Sequence, residues 1–248
     1  MEIQLPLSGT SLRLRPPNGF DEMFLVESGG GGRRAAVEFL SRIAGGADLS
    51  ALPVYDFETL LLELRALLVG EAVVAEARCG CGERVDVRFT VRDYLAYKQP
   101  RPVTRTAPAG PAGWLLLSGT EVVFRLPTVA DQLALSGRPE PWRSLAESCV
   151  RPAAMARRVD GLLRALAPPL SDVVTGTCPH CGRTAPFGFD VPAFVLAELR
   201  ADSLHVDEDV HLLASAYGWS EEHILGLPRA RRARYAEMIR ADRGSRRA

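Results

Sequence analysis

Apolar residues recur with two different spacings along the chain, and each spacing predicts one kind of element. Six of the eleven residues at 58–68 are leucine, and they occupy nearly all sides of a helix. A helix that is apolar all round is typical of a protein core. We expect Asp56 to cap its N-terminus and Gly70 to follow its C-terminus. The apolar stretch at 72–77 then predicts a strand.

Shorter patterns predict the other elements. Short apolar runs favour strands at 114–117, 122–126 and 173–174. Helical spacing favours helices at 35–43, 130–135, 144–149 and 152–166. Near the end of the chain, the pattern of 211–239 predicts a helix, a short helix and a further helix, separated by turns. Ser220 is the expected N-cap of the short helix, and Pro228 suits the first turn of the last one.

Two short cysteine motifs about a hundred residues apart have the same surroundings. Cys79-Gly80-Cys81 and Cys178-Pro179-His180-Cys181 are each followed by glycine and then by apolar residues at alternate positions. When the last cysteines of the motifs are aligned, Phe89 falls on Phe189. The chain therefore contains one supersecondary unit twice, a cysteine turn that leads into a half-buried strand.

This repeat predicts a metal site, because zinc prefers four soft ligands in a tetrahedron and neither motif can supply four alone. The expected cofactor is a structural Zn²⁺, and the expected ligands are Cys79, Cys81, Cys178 and Cys181. One alternative is a pair of reduced hairpins without metal, and another is that His180 replaces a cysteine. A redox role for the Cys-Pro-His-Cys motif would require it to open a helix after a strand. Cys149 has no neighbouring cysteine, and we expect it to be a core residue.

The expected fold class is α+β, rich in helices, with a small zinc-ribbon-like sheet made from the two cysteine hairpins. We expect one compact domain with five segments. They are an extended N-terminal arm (1–19), a helical segment with the first hairpin (20–98), an inserted strand and helix segment (99–170), the second hairpin (171–200) and a C-terminal helical segment with a basic tail (201–248).

Composition narrows the function. Of 248 residues, 47% are hydrophobic, and 30 Lys and Arg balance 30 Asp and Glu, so no overall charge attracts nucleic acid or membrane. We find neither a signal peptide nor an apolar run of about 18 residues, and five cysteines then suggest the reducing cytoplasm. No catalytic motif is present, so we expect neither an enzyme nor a small-molecule substrate. The rival hypothesis is a zinc-ribbon nucleic-acid-binding protein that uses residues 229–248, whose net charge is +6.

Three stretches together resemble the baseplate hub and assembly proteins of contractile phage tails and of related phage-like injection systems. They are the leucine helix at 56–70 with the strand and cysteine motif after it, the Phe124-Arg125-Leu126-Pro127-Thr128 strand end with Asp131, and the ending Tyr217-Gly218-Trp219-Ser220, Leu227-Pro228, Arg231-Arg232 and Tyr235.

The resemblance implies a non-enzymatic structural or chaperone-like role, with other baseplate and hub proteins as partners. It implies a location in the cytoplasm or in a phage-tail-like particle. It carries over no catalytic residue. Similar proteins commonly have Cys-x-x-Cys at both positions, whereas Cys79-Gly80-Cys81 is one residue shorter.

Overall fold

The computed structural model describes residues 1–29, 32–110, 113–135 and 141–245. The helices are α1 (Gly19–Glu27), α2 (Arg33–Ile43), α3 (Val54–Leu68), α4 (Val91–Tyr97), α5 (Val129–Leu135), α6 (Pro141–Cys149), α7 (Ala156–Leu166), α8 (Val191–Ser203), α9 (Val206–Tyr217), α10 (Glu221–Gly226) and α11 (Arg229–Ser245). The strands are β1 (Glu2–Gln4), β2 (Ser11–Arg13), β3 (Ala72–Arg78), β4 (Arg84–Thr90), β5 (Thr106–Pro108), β6 (Trp114–Leu117), β7 (Val123–Arg125), β8 (Val150–Arg151), β9 (Asp172–Thr177) and β10 (Thr184–Phe189). Helix accounts for 49% of the protein and strand for 21%, which confirms the helix-rich α+β class.

The chain divides into two compact units, and the first is discontinuous in sequence. Unit 1 comprises Met1–Ile3, Leu12–Ala47 and Pro192–Ala248, and unit 2 comprises Gln4–Ser11 and Asp48–Val191. Among the described residues, no helix combines the length and the apolar character that crossing a bilayer requires.

Helix α3 is the central core helix of unit 2, as its leucines predict. Leu60, Leu61 and Leu64 are fully buried. The expected N-cap is wrong, because the helix begins at Val54 with Pro53 before it, and Asp56 lies inside its first turn. There the buried Asp56 carboxylate accepts hydrogen bonds from two backbone N–H groups, those of Leu7 at 2.9 Å and Ser8 at 2.7 Å.

A four-stranded antiparallel sheet forms a second core in unit 2. Its strand order is β5-β6-β7-β8. One cluster of buried side chains combines residues of this sheet with residues of α7, and it includes Leu117, Phe124, Val150, Val159 and Leu163. Cys149 immediately precedes β8 and is fully buried, which confirms that it is a core residue.

In unit 2, the last residue of strand β7 is an arginine that forms an ion pair with an aspartate six residues later. Arg125 Nη1 and Nη2 donate to the two carboxylate oxygens of Asp131 at 2.5 and 2.7 Å. The backbone N–H of Thr128 donates to the same carboxylate at 2.8 Å. We call this arrangement the arginine–aspartate clasp. It fixes the angle at which α5 leaves the sheet.

Unit 1 contains another clasp with the same pattern, which is the first of the two in chain order. Arg15 donates to both carboxylate oxygens of Asp21 at 2.6 and 2.8 Å, and the backbone N–H of Asn18 donates to Asp21 at 2.8 Å. The Asn18 side chain also caps α1. Both clasps follow the sequence Arg-x-Pro-(Asn or Thr)-x-x-Asp.

The order of elements around the clasps also occurs twice. Strand β2, the first clasp, helices α1 to α3, the β3–β4 hairpin and α4 correspond to β7, the second clasp, helices α5 to α7, the β9–β10 hairpin and α8. The second copy has in addition the short strand β8 between α6 and α7. The repeat seen in the cysteine motifs is therefore part of a longer repeat. Helices α9 to α11 follow the second copy.

A buried ion pair lies in the core of unit 1. Arg232 on α11 donates through Nη2 to Glu22 on α1, and both side chains are less than 5% exposed. Asp209 on α9 lies 3.6 Å from Arg232 Nε. The expected N-cap of α10 is confirmed, since Ser220 Oγ accepts from the backbone N–H of His223.

Candidate metal centre

Two antiparallel hairpins form the framework of the site. In the first, β3 pairs with β4, and in the second, β9 pairs with β10. Alternate residues of both hairpins enter one buried cluster, among them Ala77, Val85 and Ala185. Gly176 on β9 has no side chain, and a Cβ there would lie 3.0 Å from Val85 Cγ1, so the missing side chain permits the close approach of the hairpins.

The single zinc-ribbon-like sheet expected from the sequence is not what the structure contains. Each hairpin is its own two-stranded sheet within the described residues. Strand β3 lies beside β10, and β4 lies beside β9. The side chains of the two hairpins therefore pack against each other without a shared hydrogen-bond ladder. The space between the two hairpins is filled by apolar side chains and not by backbone hydrogen bonds between strands.

The first turn folds back tightly on itself. The backbone N–H of Cys79 donates to the carbonyl of Glu83, and the N–H of Gly82 donates to the carbonyl of Cys79, both at 2.9 Å. Gly82 has a φ of 96°, a left-handed conformation that favours glycine.

The second turn repeats this pattern with one residue more. The backbone N–H of Cys178 donates to the carbonyl of Arg183, and the N–H of Gly182 donates to the carbonyl of Cys178, again at 2.9 Å. The φ of Gly182 is 69°. Since the closing hydrogen bonds are equivalent, the shorter Cys-x-Cys motif still directs both of its sulfurs to the same side.

The four sulfurs converge. Cys79 Sγ lies 3.6 Å from Cys181 Sγ, and Cys81 Sγ lies 3.7 Å from Cys178 Sγ. All four sulfurs lie within 4.8 Å of one another. A tetrahedron of sulfurs at about 2.3 Å from zinc has edges of about 3.8 Å, so these distances suit a zinc ion. They also exceed a disulfide bond of about 2.05 Å, and all four cysteines are free.

The comparisons with known proteins identify the family. The family model described as T4 bacteriophage base plate protein matches residues 1–152, more than half of the chain. The chain belongs to this family. It is a baseplate protein of contractile phage tails, as the sequence resemblance predicts. No curated protein and no solved structure matches the chain. The matched part of this baseplate protein contains both arginine–aspartate clasps and the first cysteine motif, and the second motif lies beyond it.

In the baseplate protein, hydrogen bonds and neighbouring thiols shift the pKa values of Cys181 and Cys81 in opposite directions. The backbone N–H and then the guanidinium of Arg183 donate to Cys181 and lower its pKa to about 6. The backbone N–H of Glu83 acts in the same direction on Cys81, but the neighbouring thiols, led by Cys79, outweigh it and raise its pKa to about 12. Sulfurs this close cannot all carry negative charge unless a cation compensates them.

The remaining cysteine and histidine considered from the sequence lie apart from the sulfur cluster. His180 is exposed in the second turn and does not belong to the group of four sulfurs. Cys149 is buried near the second clasp, with its Sγ 3.9 Å from Asp131 Oδ2. The Cys178–Cys181 motif lies in a hairpin turn between β9 and β10, whereas a thioredoxin-like motif opens a helix.

The sequence interpretation did not find the two clasps or the buried Glu22–Arg232 pair. A signal for the clasps is present, since the Arg-x-Pro-(Asn or Thr)-x-x-Asp pattern occurs twice. The buried pair has no local signal, because 210 residues separate its members.

Proposed function

We propose that this baseplate protein is a non-enzymatic structural or chaperone-like component that acts through contacts with other baseplate and hub proteins. The observation that carries the proposal is the match of the base plate family over residues 1–152. We place the protein in the cytoplasm during assembly, from where it can be incorporated into the particle.

We further propose that Cys79, Cys81, Cys178 and Cys181 hold one structural zinc ion. The support is the distances between their sulfurs and the soft donor set. A bound zinc ion would supply folding free energy, since metal binding to a site that forms on folding stabilises the folded state. Four sulfurs fill the tetrahedral shell and leave no position for a substrate, so the expected role is structural.

The turns of the two hairpins supply all four of these ligands. Cys79 and Cys178 are buried in the apolar cluster between the hairpins, and the other two cysteines are partly exposed. The backbone N–H groups of Glu83 and Arg183 hydrogen-bond to the sulfurs of Cys81 and Cys181, which favours the thiolate form that a metal requires. The set of four cysteine ligands thus resembles that of a zinc ribbon, although the strands that carry them form two separate sheets.

The rival function, nucleic-acid binding through the arginine-rich end of the chain, receives less support. Three arginines of α11 are already engaged with carboxylates. Arg229 pairs with Asp202, Arg232 with Glu22 and Arg240 with Asp209. A charge neutralised in this way contributes little to the counterion release that drives binding to phosphates.

Co-expression with other baseplate and hub proteins of the same tail tests the proposed function. We expect stable co-purification that survives nuclease treatment. If the wild-type protein co-purifies with none of them, the proposed function is wrong. If the purified protein instead binds DNA or RNA with an affinity that falls steeply and linearly on log–log axes of salt, the rival is correct.

A further inference from the structure

A cluster of aromatic side chains lies at the surface of unit 1, where α9, α10 and α11 meet. The rings of Tyr217 and Trp219 stack with centroids 4.9 Å apart, and Tyr235 meets Trp219 edge-on at 5.4 Å. His223 extends the cluster on the other side of Trp219, with centroids 5.3 Å apart. We call these four residues the aromatic patch. Tyr217 is 43% exposed, although the rings of Trp219 and Tyr235 both lie against it.

The patch rests on a rigid base. Trp219 and Tyr235 pack on a core that contains Leu213, Ile224 and Ala236, each fully buried. Gly218, with a φ of 69°, ends α9 and turns the chain so that Trp219 lies beside Tyr217. The rings are therefore fixed before any partner arrives, and fixed aromatic side chains lose little conformational entropy on binding.

Helix α11 divides its arginines between two environments. Arg229, Arg232 and Arg240 have carboxylate partners. Arg231 and Arg234 are exposed and have no ion pair within the described part of the chain. Arg231 instead donates to the Tyr235 hydroxyl and lies over the Tyr235 ring, 5.7 Å from its centroid.

The uncompensated arginines lie on the same side of α11 as the patch. Residues three and four apart on a helix are neighbours, so Arg231, Arg234, Tyr235 and Met238 form one stripe. Met238 is 51% exposed. Tryptophan, tyrosine and arginine are the residues that most often dominate the binding free energy of protein interfaces, and all three occur here. The stripe and the patch thus combine apolar area with positive charge.

We propose that the aromatic patch, with Arg231 and Arg234, is the docking surface for an acidic segment of another baseplate protein. An apolar side chain of that segment lies on Tyr217 and Trp219, and its carboxylates pair with the two arginines. This inference rests on the proposed function and specifies the partner's chemistry. The charge selects the partner, since complementary charges raise the rate and specificity of association.

Two other occupants fit the surface less well. In a symmetric pair of copies the same patch meets itself, which brings Arg231 and Arg234 towards their own counterparts, and like charges repel. A nucleic acid gains from many phosphate contacts, whereas this surface offers two arginines without an ion pair.

Short synthetic peptides test the proposal on the full chain. All carry the same central Phe-Leu pair, and their flanks are glutamate, lysine or serine. Trp219 fluorescence reports binding in a Trp114→Phe/Trp142→Phe background. We expect the glutamate peptide to bind, with an affinity that falls as salt rises, and to bind at least about ten times more tightly than the other two.

Charge-reversed variants locate the binding. Arg231→Glu/Arg234→Glu should weaken binding of the glutamate peptide at least about tenfold. The matched control is Arg157→Glu/Arg158→Glu on α7, since both of those arginines are also exposed and form no ion pair with the residues that the structure describes. This control should leave the affinity unchanged. Equal losses in the two variants would overturn the proposal.

The apolar half of the surface has its own test. Tyr217→Ala removes an exposed ring, and we expect weaker peptide binding with an unchanged circular dichroism spectrum. Undiminished binding overturns the role of the patch. If a single-stranded oligonucleotide binds more tightly than the glutamate peptide, the partner is not an acidic protein segment. The same conclusion follows if the protein self-associates and the charge-reversed variant does not.

Co-purification separates this inference from the proposed function. If wild type and Arg231→Glu/Arg234→Glu co-purify equally with baseplate proteins, the proposed function stands and this surface is not where they dock. If only the wild type co-purifies with them, both are supported. If the wild type co-purifies with none, the proposed function itself fails.

Discussion

Cys79 Sγ and Cys181 Sγ lie 3.6 Å apart although 102 residues separate them in the chain. The pairing is reciprocal, because the second cysteine of the first motif, Cys81, meets the first cysteine of the second motif, Cys178, at 3.7 Å. The strands of the hairpins are arranged in the same reciprocal way, because the first strand of each hairpin lies beside the second strand of the other. Strand β3 lies beside β10, and β4 lies beside β9. Such reciprocity is the pattern of an interface with twofold symmetry. The two hairpins are therefore arranged like the halves of a dimer within one chain.

Removal of the proposed zinc ion or of its cysteine ligands should destabilise unit 2. A cross-link that closes a loop of about 100 residues restricts the unfolded chain strongly, by up to about 4–5 kcal/mol in the chain-entropy estimate for a disulfide. We expect one zinc per chain by mass spectrometry. Chelation should lower the melting temperature, and Cys79→Ser/Cys178→Ser should lose the metal.

The control for this prediction is Cys149→Ala, which alters the cysteine that lies outside the cluster. Its melting temperature should fall because Cys149 is buried, but its zinc content should stay at one per chain. A protein that purifies without metal, and whose melting temperature does not respond to chelator, would show that the cluster is not a zinc site.

The second clasp should contribute more to stability than a surface ion pair. Arg125→Ala leaves the Asp131 carboxylate, whose side chain is 15% exposed, without its main partner. We expect a loss of about 2–3 kcal/mol in the free energy of unfolding, measured in urea. Arg88→Ala, which breaks an exposed pair with Asp86, should cost less than about 0.5 kcal/mol. Equal costs in the two variants would contradict this view.

The same clasp predicts how stability depends on pH. Burial acts to raise the pKa of Asp131, but the hydrogen bonds from Arg125 and Thr128 outweigh it and lower the pKa from 3.8 to about 2. The stabilisation is therefore complete above pH 4 and is lost as the pH falls from about 4 to 2. After allowance for solvent screening, it amounts to about 1–2 kcal/mol. Asp131→Asn should be less stable than wild type at pH 6, and the difference should shrink by pH 2.

Close packing at the start of α1 predicts a strong effect of one methyl group. A Cβ on Gly19 would lie 2.7 Å from Leu225 Cα and 2.9 Å from Arg232 Nη1. Gly19→Ala should cost about 1–3 kcal/mol, measured by thermal unfolding. Gly161→Ala is the control, because Gly161 lies within α7 with no atom within 4 Å of the added methyl group. It should stabilise the protein by about 0.5–1 kcal/mol, since alanine favours helix. The opposite order of the two variants would overturn this account of Gly19.

The buried pair between Glu22 and Arg232 should behave as a coupled unit. Burial raises the pKa of Glu22, and the charge of Arg232 opposes that shift. Arg232→Leu leaves the carboxylate buried without its partner and should cost about 3–5 kcal/mol. Glu22→Met/Arg232→Leu should recover a large part of the loss. A double-mutant cycle from urea unfolding measures the coupling, and additive costs would show that the pair is not a unit.

Elements with dense local signals were predictable from the sequence. Four of the six leucines of α3, from Leu60 to Leu64, are fully buried, and the two in its last turn are exposed. The two cysteine motifs were paired correctly because neither can complete a metal site alone and because their surroundings repeat. Ser220 was a reliable cap, since its partner His223 is only three residues away.

The features that could not be predicted depend on distant partners. Asp56 looks like a helix cap, but it accepts hydrogen bonds from Leu7 and Ser8, which lie almost 50 residues earlier. Glu22 and Arg232 look like solvated charges, because local sequence does not show that each is buried against the other. The hairpins were expected to share one sheet, and only the packing of apolar side chains such as Val85 decides that they do not.

The discontinuity of unit 1 has a consequence for synthesis on the ribosome. Unit 2 contains the continuous segment Asp48–Val191, whereas Met1–Ile3 and Leu12–Ala47 need Pro192–Ala248 to complete unit 1. At translation rates of about 5–20 residues per second, the intervening segment takes about 7–30 s to emerge. During that time Glu22 has no Arg232, and α1 lacks the contacts that it makes with α9 and α10. The part of unit 1 that contains α1 thus remains incompletely packed until α11 has been made.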